Sequence, residues 1–439
     1  MPEIRPFRAL RFDPETTGDL GAIVAPPYDV IGPELHRALL ERHPRNAVRL
    51  DLPAAEAGDA DPDDKYRRVA RMLAAWRTDG TLRKDPRPAV YVYEQTYRVP
   101  HTDVERMQRG FFARLRIEPF GPGSGVLPHE RTLSGPKEDR YRLLRATGVN
   151  TSPVVGLYED AAGGAAALLA GIAATPPAAD VVDDGGVRHR LWMVTDDANE
   201  GAASALAAAA GAGPVYIADG HHRYETSVRY RDERRMSRSC EEDPPFDFLL
   251  MLFLDAADAL TVLPTHRVIR GLGESGLVRL HDGLPALFTV TPATAEALVA
   301  RYEAAGELRG GQGRFGLVTR GGSYLLEARR DAFAGLVTTG GDAVRALDVS
   351  LLAATLDTAL GIDAAAVAGG ERITYVKSAA EAARLVLAGE GSTDAAFLLE
   401  PTPVASILEV SRDGDVMPQK STYFYPKALT GLVLNPHEW

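Results

Sequence analysis

Pro214-Val215-Tyr216-Ile217-Ala218-Asp219-Gly220-His221-His222-Arg223 writes a strand, a tight turn and the start of a helix in one line. The apolar run 214–218 reads as a buried strand, Gly220 permits the turn, and 224–235 has a helical composition. At such a junction the first N–H groups of the helix lack an intrahelical partner and the dipole is positive. An anion, most often phosphate, binds there readily. Gly220 lets the backbone approach a ligand, Arg223 presents a planar fork to phosphate oxygens, and His221 and His222 can donate or shuttle protons. Asp219 is the odd member, because a carboxylate beside a phosphate repels it unless a cation intervenes; Mg²⁺ held by Asp219 is the usual intermediary. The plainer reading makes Asp219 a helix cap and puts the histidines on a solvated face. It accounts for Asp219 and Gly220, but not for two histidines and an arginine crowding one turn. A Zn²⁺ or Mn²⁺ site built from the imidazoles and carboxylates also stays open.

Working outward, a strand at 153–158, an Ala/Gly-rich helix at 161–173, a strand at 191–194 and a helix begun by Asp196 or Asp197 precede the turn. That order predicts a sheet with crossover helices. The continuous apolar run 246–254, bounded by Pro245 and Asp255, predicts a central strand buried on both faces. Further towards the start, 63–78 is an amphipathic helix with Tyr66, Val69, Leu73 and Trp76 on one face, and 89–99 and 110–117 alternate as strands. Beyond 271 come a hairpin at 315–328, one long helix at 344–360 and renewed strand-helix alternation from 373 to 410. The fold class is α/β, of the mixed α+β kind. We divide it into an N-terminal region, 1–110, a phosphate-binding core, 111–270, with an inserted segment at 156–212, and a C-terminal α/β region, 271–439.

A chain of 439 residues with 45% hydrophobic content can bury a large core. The net charge of −11, with no Lys/Arg-rich block, argues against nucleic acid or an anionic membrane as partner. A small anionic ligand needs only a local positive pocket. Cys240 stands alone, which excludes a disulfide framework and a cysteine metal cluster. Residues 1–11 lack the apolar core of a signal peptide, and no segment has the roughly eighteen apolar residues that cross a bilayer. The expected location is the cytoplasm; the oligomeric state stays open.

Other constellations could join the turn if the fold brings them close. His129-Glu130 pairs an imidazole with a carboxylate able to act as general base on a substrate hydroxyl. Asp29 sits in the rigid Ala25-Pro26-Pro27-Tyr28-Asp29 loop and can face a site or make local turn bonds. Thr132, Asn150 and Ser152 offer hydroxyls and an amide suited to phosphate or to ordinary capping. His266-Arg267 adds a second His-Arg pair. Lys420 and Lys427, two of the few lysines in an arginine-dominated chain, are flexible point charges that can reach a terminal phosphate. There is no Walker A motif and no dinucleotide fingerprint.

The motifs Ala25-Pro26-Pro27-Tyr28-Asp29-Val30, His129-Glu130-Arg131-Thr132, Ala218 to Thr226 and Lys420 to Lys427 resemble those of a widespread bacterial and archaeal family of uncharacterised proteins. More distantly, a His-Glu step with a later Asp-Gly-His-His-Arg turn resembles the free serine kinases of the ParB/sulfiredoxin-like superfamily, which phosphorylate free L-serine from a nucleotide. That resemblance implies a ParB/sulfiredoxin-like core with N- and C-terminal elaborations. It implies Glu130 as base on the serine hydroxyl, assisted by His129. Asp219 would hold Mg²⁺, and Gly220, His221, His222, Arg223 and Lys420 would bind the phosphates of ATP or ADP. The expected activity is a Mg²⁺-dependent phosphotransferase acting on a small hydroxylated metabolite. A phosphatase or nucleotide hydrolase using the same groups, and a nucleotide-binding regulatory protein without catalysis, are the alternatives.

Overall fold

The computed structural model describes residues 1–130, 134–237, 242–303 and 310–439. Mixed α/β architecture is confirmed: a nine-stranded and a six-stranded sheet with helices packed against both. Along the large sheet the strands run Val126–Leu127, Val215–Asp219, Val154–Tyr158, Phe248–Asp255, Glu105–Arg116, Val90–Arg98, Arg188–Val194 and Ala179–Val182, with Ile4–Arg5 beside Glu105–Arg116. Phe248–Asp255 is central and buried along its whole length, as its unbroken apolar run requires. Residues on both sides of position 110 share this sheet, since Val90–Arg98 and Glu105–Arg116 pair from Tyr91↔Phe112 to Arg98↔Glu105.

The helix Ala202–Gly211 is a crossover, as expected: it joins Arg188–Val194 to Val215–Asp219, which run the same way in the large sheet but lie towards its opposite edges. Most pairings are antiparallel; Val215–Asp219 runs parallel to Val126–Leu127, and Val154–Tyr158 parallel to Phe248–Asp255. The register between Val215–Asp219 and Val154–Tyr158 shifts between Ile217 and Asp219, so the strand is bent just where it delivers Asp219.

The six-stranded sheet takes its strands from Phe288–Ala293, Gly322–Ala328, Arg314–Thr319, Thr393–Leu399, His266–Arg270 and Ile373–Val376, in that order. One apolar cluster runs without a break from Tyr93, Phe112 and Leu252 of the large sheet to Ile269, Phe397 and Leu399 of the smaller one. The two sheets therefore share a core. The helix expected at 344–360 is broken into Asp342–Arg345 and Asp348–Leu360. Leu347 turns extended there, and the Asp348 carboxylate accepts the N–H groups of Gly311 and Gly313 at 2.9 and 2.7 Å. The helix Asp64–Thr78 buries Tyr66, Val69, Leu73 and Trp76, the stripe its spacing predicts. No helix among the described residues is long and apolar enough to cross a membrane.

Candidate functional site

Val215–Asp219 ends, Gly220 turns at φ +91°, and the helix His221–Ser237 begins. A Cβ on Gly220 would sit 2.9 Å from Arg223 Nε, so glycine is required both for the backbone angle and for the arginine folding back over it. Arg223 Nη2 donates to Asp219 Oδ2 at 2.6 Å, and Nη1 donates to the Pro153 carbonyl. Lys427 Nζ, from the far end of the chain, donates to Asp219 Oδ1 at 2.6 Å. Burial alone would push the Asp219 carboxyl up, but Lys427 and Arg223 outweigh it and hold the group well below the usual carboxylate range. Asp219 is ionised, with a cation on each oxygen.

Behind this triad the two histidines are structural in their bonding. His129 is fully buried; its Nδ1 lies 2.6 Å from the Ile217 carbonyl, which can only accept, so the proton is on Nδ1. Nε2 is then free to accept from Thr422 Oγ1 at 2.8 Å. The His129 backbone N–H donates to His221 Nε2 at 3.2 Å, and the two rings meet edge to face. Burial lowers the pKa of both imidazoles, most strongly at His221, where His129 adds to it; both are neutral. His222 is less buried and is held below its ordinary value by burial, then by Lys420 and Lys137.

Glu130 faces the same ground. Its Oε1 accepts from the backbone N–H groups of Ser421 and Thr422 at 2.9 and 3.3 Å and lies 3.8 Å from His129 Nε2. The loop carrying Lys420 is thereby tied to the His129-Glu130 step, and Met417 N–H donates to the His129 carbonyl at 2.7 Å. Lys420 is exposed, with its backbone in the left-handed region. Arg267 is buried, donating to the carbonyls of Thr265 and Lys420; burial pushes it down to about 10. Asp29, exposed on the turn Tyr28–Val30, lies near enough for its charge to raise the pKa values of Arg223 and Lys427.

Three expected residues sit elsewhere or serve the scaffold. Asn150 Oδ1 accepts from the Leu250 N–H at 3.1 Å and from Asn435 Nδ2 at 2.8 Å, which pins the C-terminal segment to the large sheet. Ser152 Oγ shares a 2.9 Å bond with Thr430 Oγ1. The His266 Nδ1 accepts from the Leu399 N–H at 3.1 Å, and burial takes this imidazole down to about 3. Thr132 lies outside the described residues.

Sequence reasoning missed Lys377, and it gave no role to Thr422 and Tyr423 within the motif Lys420 to Lys427. Lys377 follows the strand Ile373–Val376; its Nζ donates to Thr265 Oγ1 at 3.0 Å and lies 4.2 Å from the centre of the Tyr423 ring. Lys427 Nζ lies 4.3 Å from the same ring. Burial, then Lys427, Lys420 and Arg267, bring Lys377 down to about 7. Composition held the clue. The chain has six lysines among 49 basic residues, and four of them, Lys137, Lys377, Lys420 and Lys427, gather around this one site.

The arrangement suits an oxyanion: neutral imidazoles, a helix start and clustered cations beside the ionised Asp219 carboxylate. It does not resemble a metal cage. Both oxygens of Asp219 are committed, and no three His, Cys, Asp or Glu side chains converge as ligands among the described residues. A concavity of about 830 Å³ is an open groove along Phe120, Tyr141, Val228 and Met236. It lies apart from Asp219 and Glu130. A cavity of about 40 Å³, lined by Asp51, Arg140, Thr226 and Arg223, backs the site. That is room for a water.

Fold and site together define a mixed α/β protein with a part-buried carboxylate, held between two cations, at a strand-to-helix turn. The chain belongs to the family described as "Protein of unknown function (DUF1015)", whose model matches residues 4–350. No curated protein matches it. Among solved structures it is similar to free serine kinase in complex with AMP, at 13% identity and a TM-score of 0.35 over 68% of this chain and 83% of that one. A variant of free serine kinase with ADP gives 15% identity and 0.35, over 75% and 90%. A conserved hypothetical protein from Pyrococcus furiosus gives 14% and 0.33, over 68% and 87%.

Proposed function

We propose that this protein transfers a phosphoryl group from a nucleotide to the hydroxyl of a small metabolite, with free L-serine the first acceptor to test. One observation carries the reading: Glu130, a carboxylate able to take a proton, faces a cluster of cations at a helix start, although residues 130, 219, 267, 377 and 427 are far apart in sequence. In this reaction the acceptor oxygen bonds to the terminal phosphorus while the bridging P–O bond breaks; the hydroxyl proton goes to Glu130 and the shortened nucleotide leaves. Phosphoryl transfer needs mainly positioning and charge neutralisation. Arg223, Lys427, Lys420 and the first N–H groups of the helix His221–Ser237 would hold the phosphates. Asp219 keeps Arg223 and Lys427 in place. Any Mg²⁺ would arrive on the phosphates of ATP or ADP, since the side chains here do not fit a resident ion.

Phosphorus NMR of the protein with Mg²⁺, L-serine and, in turn, ATP, ADP and CTP tests this. O-phosphoserine is the expected product. Orthophosphate alone would move the site to hydrolase chemistry, and unchanged nucleotide would leave a binding or regulatory role.

A further inference from the structure

Arg267, Lys377 and Lys420 are three cations with no ion pair among the described residues. Arg267 is 6% exposed and donates to two carbonyls; a buried guanidinium normally meets a carboxylate or phosphate. Glu130 is the carboxylate whose charge is felt at both Arg267 and Lys377, and it is already engaged by the Ser421 and Thr422 N–H groups. The Tyr423 ring links this group to the other cations, with Lys377 and Lys427 both against it, and only Lys427 is neutralised, by Asp219. Two anion loci therefore share one aromatic wall: Arg223 and Lys427 at the helix start, and Arg267 and Lys377 at the ends of strands from the smaller sheet.

We infer that the Arg267–Lys377 locus binds an acidic group carried by the acceptor, a carboxylate or phosphate, and so selects acidic hydroxyl compounds. This rests on the phosphotransfer reading. A planar guanidinium beside an ammonium matches one carboxylate, and Glu130, whose charge reaches both Arg267 and Lys377, is at hand for the acceptor hydroxyl.

The test has two arms. Equilibrium binding of inorganic phosphate is measured for the parent, Lys377→Met, Arg267→Gln and Lys427→Met. Two sites are expected in the parent and one in each variant; an unchanged stoichiometry in Lys377→Met and Arg267→Gln overturns the inference whether or not the protein is a kinase. In the second arm L-serine is compared with serinol, which replaces the carboxylate by a hydroxymethyl group. The parent should prefer serine by tenfold or more in kcat/KM. Lys377→Met should erase that preference through the serine KM, with ADP affinity unchanged. Equal use of both acceptors by the parent, or a loss of ADP affinity with serine KM intact, overturns the inference while leaving phosphotransfer standing. Two anion sites without any transfer overturn the phosphotransfer reading instead. Lys377 is half-buried just beyond the strand Ile373–Val376, so Lys377→Met keeps the inference testable where Arg267→Gln does not fold.

Discussion

Asp219→Asn removes one charge from a part-buried cluster of three, its side chains 11–16% exposed, and leaves Arg223 and Lys427 facing each other uncompensated. Each cation touches its own carboxylate oxygen at 2.6 Å. Unit charges about 4 Å apart attract by about 4 kcal/mol at an effective dielectric of 20, and desolvation cancels part of that. Breaking a buried ion cluster by removing one partner costs about 3–5 kcal/mol. That loss is the expected drop in unfolding free energy from urea titration at pH 7. Inorganic phosphate should then take the place of the lost carboxylate and bind this locus more tightly in the variant than in the parent; a filled site stabilises the fold by about 2.7 kcal/mol at a hundredfold excess over its Kd. The pH dependence has a defined sign. Because the folded pKa of Asp219 lies below its ordinary 3.8, its contribution is fully present above 3.8 and is lost as pH falls through the folded value. The gap between parent and variant should stay flat from neutral pH to 5 and close only in strong acid. A variant within about 1 kcal/mol of the parent, or equal stabilisation of both by phosphate, would refute the assignment of Asp219 as the organiser of these cations.

Glu130→Gln retains an acceptor for the Ser421 and Thr422 N–H groups but cannot take a proton. Nucleotide affinity should persist while transfer falls about 10²–10⁴-fold, read by phosphorus NMR. Gly220→Ala forces a side chain onto a backbone at φ +91° and against Arg223. It should cost about 1–3 kcal/mol in urea and weaken phosphate binding. His129, His221 and His266 all have folded pKa values lowered from 6.5 by burial, so the unfolded chain takes up protons that the folded one does not. Stability should fall below about pH 6.5 by about 1.4 kcal/mol per pH unit for each histidine, and His266→Gln should remove one proton from that slope.

The stretch 214–235 was legible from the chain because everything it needs is local: an apolar run for a buried strand, a glycine at positive φ, and a helix start, whose first N–H groups have no partner within the helix. The buried run 248–255 and the stripe of the helix Asp64–Thr78 were legible for the same reason, since side-chain periodicity is set by backbone geometry. The broken helix before Asp348 was not, because the break satisfies N–H groups at Gly311 and Gly313, in another loop. Among the site residues, the motif around Asp219 announced an anion-binding turn, but what Asp219 does there depended on Lys427 arriving from 208 positions away. Asn150 and Ser152 looked no different from ligand-binding residues until Asn435 and Thr430 were found to use their polar groups. Lys377 carried no local signal beyond the scarcity of lysine.

The sequence by itself thus determined the elements and the kind of chemistry available at the turn, since backbone preference and residue type act over a few positions. Only the tertiary structure decided which charges meet. Coulombic and hydrogen-bond contacts extend a few ångströms through space irrespective of distance along the chain, and it is the shared core of the two sheets that carries the C-terminal lysines to Asp219 and Glu130.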